Sequence, residues 1–178
     1  MRIVVVADSH LAPGVHAFDR NWDAVRAFVS GQRVDLTVHL GDITVDGLSD
    51  PAHFRHAVTM SADWPTPIRY LPAAERRRLL ELTADASLRA AISGHTHQYR
   101  DRTVEGLRHV WVPSTAFYLP DGIQDRVGEK VTGVEVLELE PGRLRFHLVC
   151  PEGLVRNRGL DHPVYPELVE ARRRVGTR

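Results

Sequence analysis

The run Ile3-Val4-Val5-Val6-Ala7, closed by Asp8-Ser9-His10, decides the fold of this chain. An unbroken β-branched run has no polar face to turn to water, so it predicts a strand buried on both sides in a parallel sheet. It stops on a carboxylate and an imidazole, and Pro13-Gly14 marks the loop beyond. From Asn21 to Ser30, the apolar residues Trp22, Val25, Ala27, Phe28 and Val29 recur at helical spacing. Asn21 or Asp19 is the expected N-cap, and Gly31 the stop. Asp35-Leu36-Thr37-Val38-His39-Leu40 then reads as a second strand ending at Gly41-Asp42. A β-α-β unit of this length makes the two strands parallel, with a right-handed crossover.

Downstream, Pro51–Thr59 reads as a short helix and Ile68-Arg69-Tyr70-Leu71 as a third strand, followed at once by Pro72. Ala73–Ala84 is expected to be helical, with Leu79, Leu80 and Leu82 apolar and Glu75 in its first turn. Ala90–Ser93, Arg108–Val112, Val131–Glu140 and Arg143–Leu148 read as strands, the last two joined by a Pro141-Gly142 hairpin and so antiparallel. A terminal helix is expected near Glu167–Arg174. The expected organisation is one α/β domain over residues 1–150 and an extension over 151–178, made of loop and helix.

Composition narrows the classes. At 178 residues the chain fits one domain, and 43% hydrophobic with 26% charged residues excludes disordered and disulfide-scaffold classes. Lys+Arg and Asp+Glu both number 23, which removes any global charge argument for nucleic acid or an anionic membrane. The runs Arg76-Arg77-Arg78 and Arg172-Arg173-Arg174 are each flanked by glutamate and read as solvated helix faces. Cys150 is the only cysteine, and the amino-terminal apolar run is too short for a signal peptide, so a reducing cytoplasm is expected. No stretch approaches the roughly 20 apolar residues that span a bilayer. The 10 histidines are the departure from average usage, and histidine is the commonest metal ligand.

Three short motifs fall where strands end: Asp8-Ser9-His10, Gly41-Asp42 and Gly94-His95-Thr96-His97. A D-x-H or a G-D arises by accident about once in such a chain, but a G-H-x-H only about 0.04 times. Position adds weight, because ligand sites of open α/β sheets form outside the carboxyl ends of the strands. Adjacent parallel strands lie about 4.8 Å apart, so the carboxylates of Asp8 and Asp42 can converge on one point. Carboxylate and imidazole donors without thiolate suit Mn, Fe, Zn, Co or Ni. Gly41 and Gly94 are expected to let the backbone approach a crowded centre.

This order of motifs resembles the calcineurin-like metallophosphoesterase family. Ala7-Asp8-Ser9-His10-Leu11, His39-Leu40-Gly41-Asp42-Ile43-Thr44 and Ser93-Gly94-His95-Thr96-His97-Gln98 are similar to its bacterial cyclic-nucleotide phosphodiesterase-like branch. The resemblance implies a two-sheet β-sandwich flanked by helices, with a dinuclear metal centre between the sheets. By motif, Asp8, His10, Asp42 and His97 would hold one metal, and Asp42 would bridge to a second that His95 also binds. The implied activity is hydrolysis of a phosphoester, with small phosphodiesters such as a cyclic nucleotide as the implied substrates, by a metal-activated hydroxide.

The sequence also departs from the family. A G-N-H-[DE] segment normally follows the third strand, and a further metal-binding histidine precedes G-H-x-H. Here no Gly-Asn-His exists, the only asparagines are Asn21 and Asn157, and no histidine lies between His56 and His95. The second metal is left with Asp42 and His95, and no general acid is identified. The domain reads as shortened in its middle, or as one whose lost ligands are replaced by others. The rival reading is a non-catalytic metal-binding scaffold of the same fold.

The remaining candidates have plainer readings. His53 and His56 suit a solvated or packing role, and His39 either supports the site or packs in the core. His16 is placed where it could approach a substrate phosphate, and Ser114 and Thr115 where they could line the pocket.

Overall fold

The structure is a computed structural model that describes residues 1–47, 49–61, 68–69, 89–104, 106–162 and 164–175. Strand β1 (Arg2–Val6) leads through helix α1 (His16–Ser30) to β2 (Leu36–His39), which runs parallel to β1 with Val4 opposite Thr37. Helix α2 (Pro51–Met60) and β3 (Ile68–Arg69) follow, and β3 continues the parallel order beside β2. The expected helix Ala73–Ala84, the strand residues Tyr70-Leu71, the Pro72–Ala73 junction and the Arg76-Arg77-Arg78 run lie outside the described residues.

The chain then builds a second sheet from β4 (Ala90–Ser93), β5 (Arg100–Val104) and β6 (Leu107–Trp111), in the order β4-β6-β5. It passes through a short strand β7 (Phe117–Tyr118) and returns to the first sheet as the hairpin β8 (Val134–Glu140) and β9 (Arg143–Val149). The first sheet has the order β3-β2-β1-β8-β9, with β8 antiparallel to β1 and β9 antiparallel to β8. The last residues form β10 (Asn157–Arg158), parallel to β7, a 3-10 turn over Gly159–Asp161, and helix α3 (Pro166–Val175). Strand β5 and the β7·β10 ladder were not legible in the sequence.

The continuous apolar run of β1 is explained by two different neighbours. Side chains alternate across a strand. Val4 and Val6 pack with Trp22, Val25 and Val29 of α1 and with Val134 and Val136. Ile3, Val5 and Ala7 face the second sheet, where they meet Val110 and the adjoining Val112, and share the cluster with Leu137 and Phe146 of their own sheet. The architecture is therefore mixed α/β, with two sheets face to face and α1 on the outer face of the larger.

The helix start differs from the expectation. Helix α1 begins at His16 after Val15, with no side-chain cap, so neither Asn21 nor Asp19 is the N-cap. Asn21 lies inside the helix and is buried, because its amide serves distant backbone. Its Nδ2 donates to Thr115 O at 2.7 Å and Val155 O at 2.8 Å, and its Oδ1 accepts from Val155 N at 2.9 Å. These bonds tie the chain beyond residue 150 to the domain. Gly31 does stop the helix, its N–H donating back to Ala27 O at 3.0 Å. No helix among the described residues is long and apolar enough to cross a membrane.

Candidate metal centre

The β1·β2 ladder does not end with its strands. Asp8 N donates to Gly41 O at 3.1 Å, His10 N to Asp42 O at 3.0 Å and Leu11 N to Ile43 O at 2.7 Å. The two loops therefore run side by side and hold Asp8, His10 and Asp42 on a fixed backbone. Across the sandwich, the loop after β4 brings His95 and His97 to the same edge. Its position is set by Asp8, whose carboxylate accepts the His95 N–H at 3.1 and 2.9 Å.

Backbone strain marks the same residues. Among the described residues, the non-glycine positions with positive φ are Asp8 (50°), His10 (48°), Asp42 (50°), His95 (70°) and His97 (52°). A left-handed conformation costs an L-residue of order 1 kcal/mol or more, and such positions gather where a site demands them. That set coincides with the five residues carried by the three motifs. Gly41 shares the conformation, with φ of 129° and open space where a Cβ would stand, so its role is conformational rather than steric. Gly94 is the steric case, because a Cβ there would lie 2.9 Å from both Ala7 Cβ and Asp8 Oδ2.

The side chains separate into an inner and an outer group. Asp8, His10 and His97 are all buried and present ligand atoms within 4.8 Å of one another, a group able to hold a metal ion. His10 Nε2 and His97 Nε2 are 3.1 Å apart. Nitrogens sharing one ion at about 2.1 Å lie about 3–3.5 Å from each other, so the pair fits a common cation. Asp42 and His95 stand further out, their side chains 46% and 91% exposed, with His95 Nδ1 3.4 Å from Asp42 Oδ2.

Electrostatics suit a cation at this group. Burial pushes the Asp8 carboxyl up to about 7, against the His95 N–H that favours its ionised form, and the nearby Asp42 carboxylate adds to the rise. Burial lowers His10 to about 3 and His97 to about 4, so both rings are neutral and have lone pairs to offer. A divalent cation would let Asp8 ionise without a buried, uncompensated charge.

Residues around this group fix its orientation. His97 Nδ1 donates to Phe117 O at 2.9 Å, which sets its tautomer and leaves Nε2 bare. His10 Nδ1 lies 2.5 Å from the Tyr165 hydroxyl. His39, lowered to about 3 by burial, accepts from Gly41 N at 3.2 Å through Nδ1, so its Nε2 donates to Ser9 Oγ at 2.9 Å. Ser9 Oγ in turn donates to Ile43 O at 3.1 Å. This chain ties the D-x-H loop to the G-D loop, which favours support of the site over simple packing for His39.

Ser114 and Thr115 do not line an open pocket. Both are buried, and Ser114 Oγ donates to Asp8 O at 2.7 Å while Thr115 N donates to Ala7 O at 3.1 Å. Gln98 anchors the other side: its Oε1 accepts from Val127 N and Gly128 N, each at 2.9 Å. Among the plainer histidines, His56 Nε2 meets Asp19 Oδ1 at 2.8 Å, His53 Nδ1 accepts from Asp46 N at 3.1 Å, and His16 stands in solvent, its side chain 80% exposed.

Comparison with known proteins bears on this arrangement. Residues 1–76 match the family model of the calcineurin-like phosphoesterases. That segment holds β1, β2 and the D-x-H and G-D motifs. No curated protein matches the chain. Among solved structures, GAP50, described as the anchor in the inner membrane complex of Plasmodium, superposes with a TM-score of 0.55 at 11% identity, covering 87% of this chain and 86% of that one. This likeness shows the metallophosphoesterase fold alone. A novel archaeal phosphodiesterase is 12% identical over 84% of this chain and 100% of its own, with a TM-score of 0.46. Vps29 complexed with Zn from Entamoeba histolytica is 15% identical over 84% and 98%, with a TM-score of 0.37.

Proposed function

We propose that this chain is a metal-dependent phosphoesterase acting on a small phosphodiester, with Asp8, His10, Asp42 and His97 holding one divalent ion. Asp42 and His95 would hold a second. The observation that carries this reading is the convergence of three buried donors, Asp8, His10 and His97, within 4.8 Å at the carboxyl ends of strands from both sheets. Divalent ions bound there supply a Lewis acid and activate water for attack on phosphorus. The chain's own residues do the rest. Asp8 and the two imidazoles fix the inner ion, while the exposed Asp42 and His95 face the solvent side from which a phosphate would arrive. The substrate we favour is a small phosphoester such as a cyclic nucleotide, met in the cytoplasm.

The test is hydrolysis of bis(p-nitrophenyl) phosphate with Mn2+, comparing the parent chain with Asp42→Asn. We expect metal-dependent turnover that the substitution abolishes. Undiminished Mn-dependent turnover by Asp42→Asn would overturn the assignment.

One observation favours a second reading, a metal-binding scaffold without turnover. The two residues left for the outer ion are its most exposed ligands, with His95 91% and Asp42 46% exposed, and a loosely held outer ion is a poor clamp for the transition state. Bound metal in the absence of hydrolysis of any phosphoester would favour it.

A further inference from the structure

We propose that Tyr165 is a positioning residue of the metal centre, whose hydroxyl fixes the His10 ring and accepts its Nδ1 proton, so that Nε2 faces a cation bare. This rests on the reading of Asp8, His10 and His97 as ligands.

The argument begins with hydrogen counting between the two imidazoles. The Phe117 carbonyl can only accept, so His97 Nδ1 keeps its proton and His97 Nε2 is a lone pair. His10 Nε2 stands 3.1 Å from that lone pair. Two bare nitrogens at that distance repel unless a proton or a cation lies between them. In the metal-free chain the proton is on His10 Nε2, which donates to His97, and His10 Nδ1 must then accept. In the loaded chain Nε2 is bare, and His10 Nδ1 must donate.

The group opposite His10 Nδ1 has to serve both states. A carbonyl would serve only the second and an ammonium only the first, whereas a hydroxyl donates or accepts. The Tyr165 hydroxyl is that group, 2.5 Å from His10 Nδ1. Its O–H donates to Nδ1 in the first state, and its oxygen accepts the Nδ1 proton in the second. Each state has one proton on the ring and one on the hydroxyl, so the change of tautomer leaves the proton count of the pair unaltered.

Tyr165 can do this because its position is fixed. Its ring meets His10 edge-on, with centroids 5.7 Å apart at 87°, and packs against Phe117 at 5.7 Å. The chain leading to it is pinned by the β7·β10 ladder and by Asn157 Nδ2, which donates to Ala116 O at 3.0 Å. Gly159 is pressed so closely on Phe117 that a Cβ would lie 2.6 Å from Cδ2 of that ring. Phe117 O and the Tyr165 hydroxyl, which back the two histidines, are thus attached to the two strands of one small ladder. Residues beyond 150 are a part of the centre.

The experiment uses the full chain, with Zn2+ or Co2+ as the only added probe. Tyr165→Phe retains the ring packing and removes the hydroxyl, and we expect the dissociation constant for either ion to rise by about 10–100-fold. Nitrogen-15 NMR of the parent chain supplies a readout that ring packing alone does not move and that needs no variant. The His10 signals should change from the Nε2–H to the Nδ1–H tautomer on Zn2+ addition. Unchanged affinity in Tyr165→Phe overturns the role of Tyr165 and leaves the metal centre standing, whereas a loaded parent chain with its His10 proton on Nε2 overturns both, since a protonated Nε2 cannot hold a cation. A parent chain that binds neither ion overturns the metal centre itself.

Discussion

Replacing Gly94 by alanine should damage both the fold and the metal centre, and Gly31→Ala supplies the matched control. A Cβ at Gly94 would stand 2.9 Å from Ala7 Cβ and 2.9 Å from Asp8 Oδ2. Carbon atoms in good contact are about 3.5–4.0 Å apart, so one neighbour or both must retreat by about 0.6–1 Å. Neither has slack. Ala7 is fully buried at the end of β1, between the sheets, and the Asp8 carboxylate is held by the His95 N–H through both oxygens. Overpacking of this kind costs about 1–3 kcal/mol. The displaced group is also a proposed ligand, so the cost should reach the metal as well. At Gly31, which ends α1 with φ of −83°, a Cβ would meet only Ala27 O at 3.5 Å and Phe28 O at 3.7 Å, ordinary contacts. Alanine suits that conformation and should stabilise the chain by about 0.4–1 kcal/mol by restricting the unfolded state. Urea unfolding of the two variants, followed by Zn2+ titration, measures both effects. Gly94→Ala unfolding at the same urea concentration as Gly31→Ala, with undiminished Zn2+ affinity, would refute the crowding on which the centre's geometry depends.

Two further outcomes follow from buried polar groups. The metal-free chain should lose stability as pH falls below about 6.5, because His10, His39 and His97 are held neutral when folded, at about 3, 3 and 4, and take up protons on unfolding. Asp8, raised to about 7, opposes this by one proton, since its folded form holds a proton that the unfolded chain gives up above its ordinary 3.8. Glu135, raised to about 8 by burial, opposes it in the same way, so three protons against two leave a loss of about 1 kcal/mol per pH unit between pH 6 and 5. A melting temperature that is flat or rises across that interval would contradict the assignment of buried neutral rings. Asn21→Ala should cost about 3 kcal/mol in urea unfolding, since it removes three hydrogen bonds, with Thr115 O, Val155 O and Val155 N. A change under 1 kcal/mol would mean that these bonds do not hold the later chain in place.

The parts of this molecule legible in the sequence are those governed by local chemistry. The apolar run of β1 announces double burial because two different layers claim its alternate residues, Val4 and Val6 on one side, Val5 and Ala7 on the other. The Pro141-Gly142 hairpin is equally local, and its strands pair antiparallel from Val134 opposite Val149 to Glu140 opposite Arg143. Gly94 reads correctly for the same reason: a glycine before paired histidines anticipates close approach, and Asp8 is what approaches. Strand β5 was missed because Arg100-Asp101-Arg102-Thr103 is polar on both faces. Its pairing with β6 owes much to Asp101, which takes two hydrogen bonds from Arg108 and can be recognised only once the strands are adjacent.

What the sequence concealed around the site is long-range in every case. The motifs announce Asp8, His10 and His97 but not the groups that aim them, because aiming is done by whatever the fold brings within hydrogen-bond reach. Phe117 contributes a main-chain oxygen, which any residue could supply, so no side chain at that position could signal it. Asn21 looks like a helix cap by sequence, since a short polar side chain near a helix start is favoured there. Burial overrides that preference: its amide is used on the backbone of Thr115 and Val155, far away in sequence. Tyr165 is 155 residues from His10 and follows no motif, yet its hydroxyl lies 2.5 Å from His10 Nδ1. A metal centre of this kind therefore has two specifications. Ligand identity is written in short motifs at strand ends, and ligand orientation is written in the packing of distant segments. The second is the one that a truncation after residue 150 would erase, leaving every motif residue in place and His10 without the hydroxyl that fixes its ring.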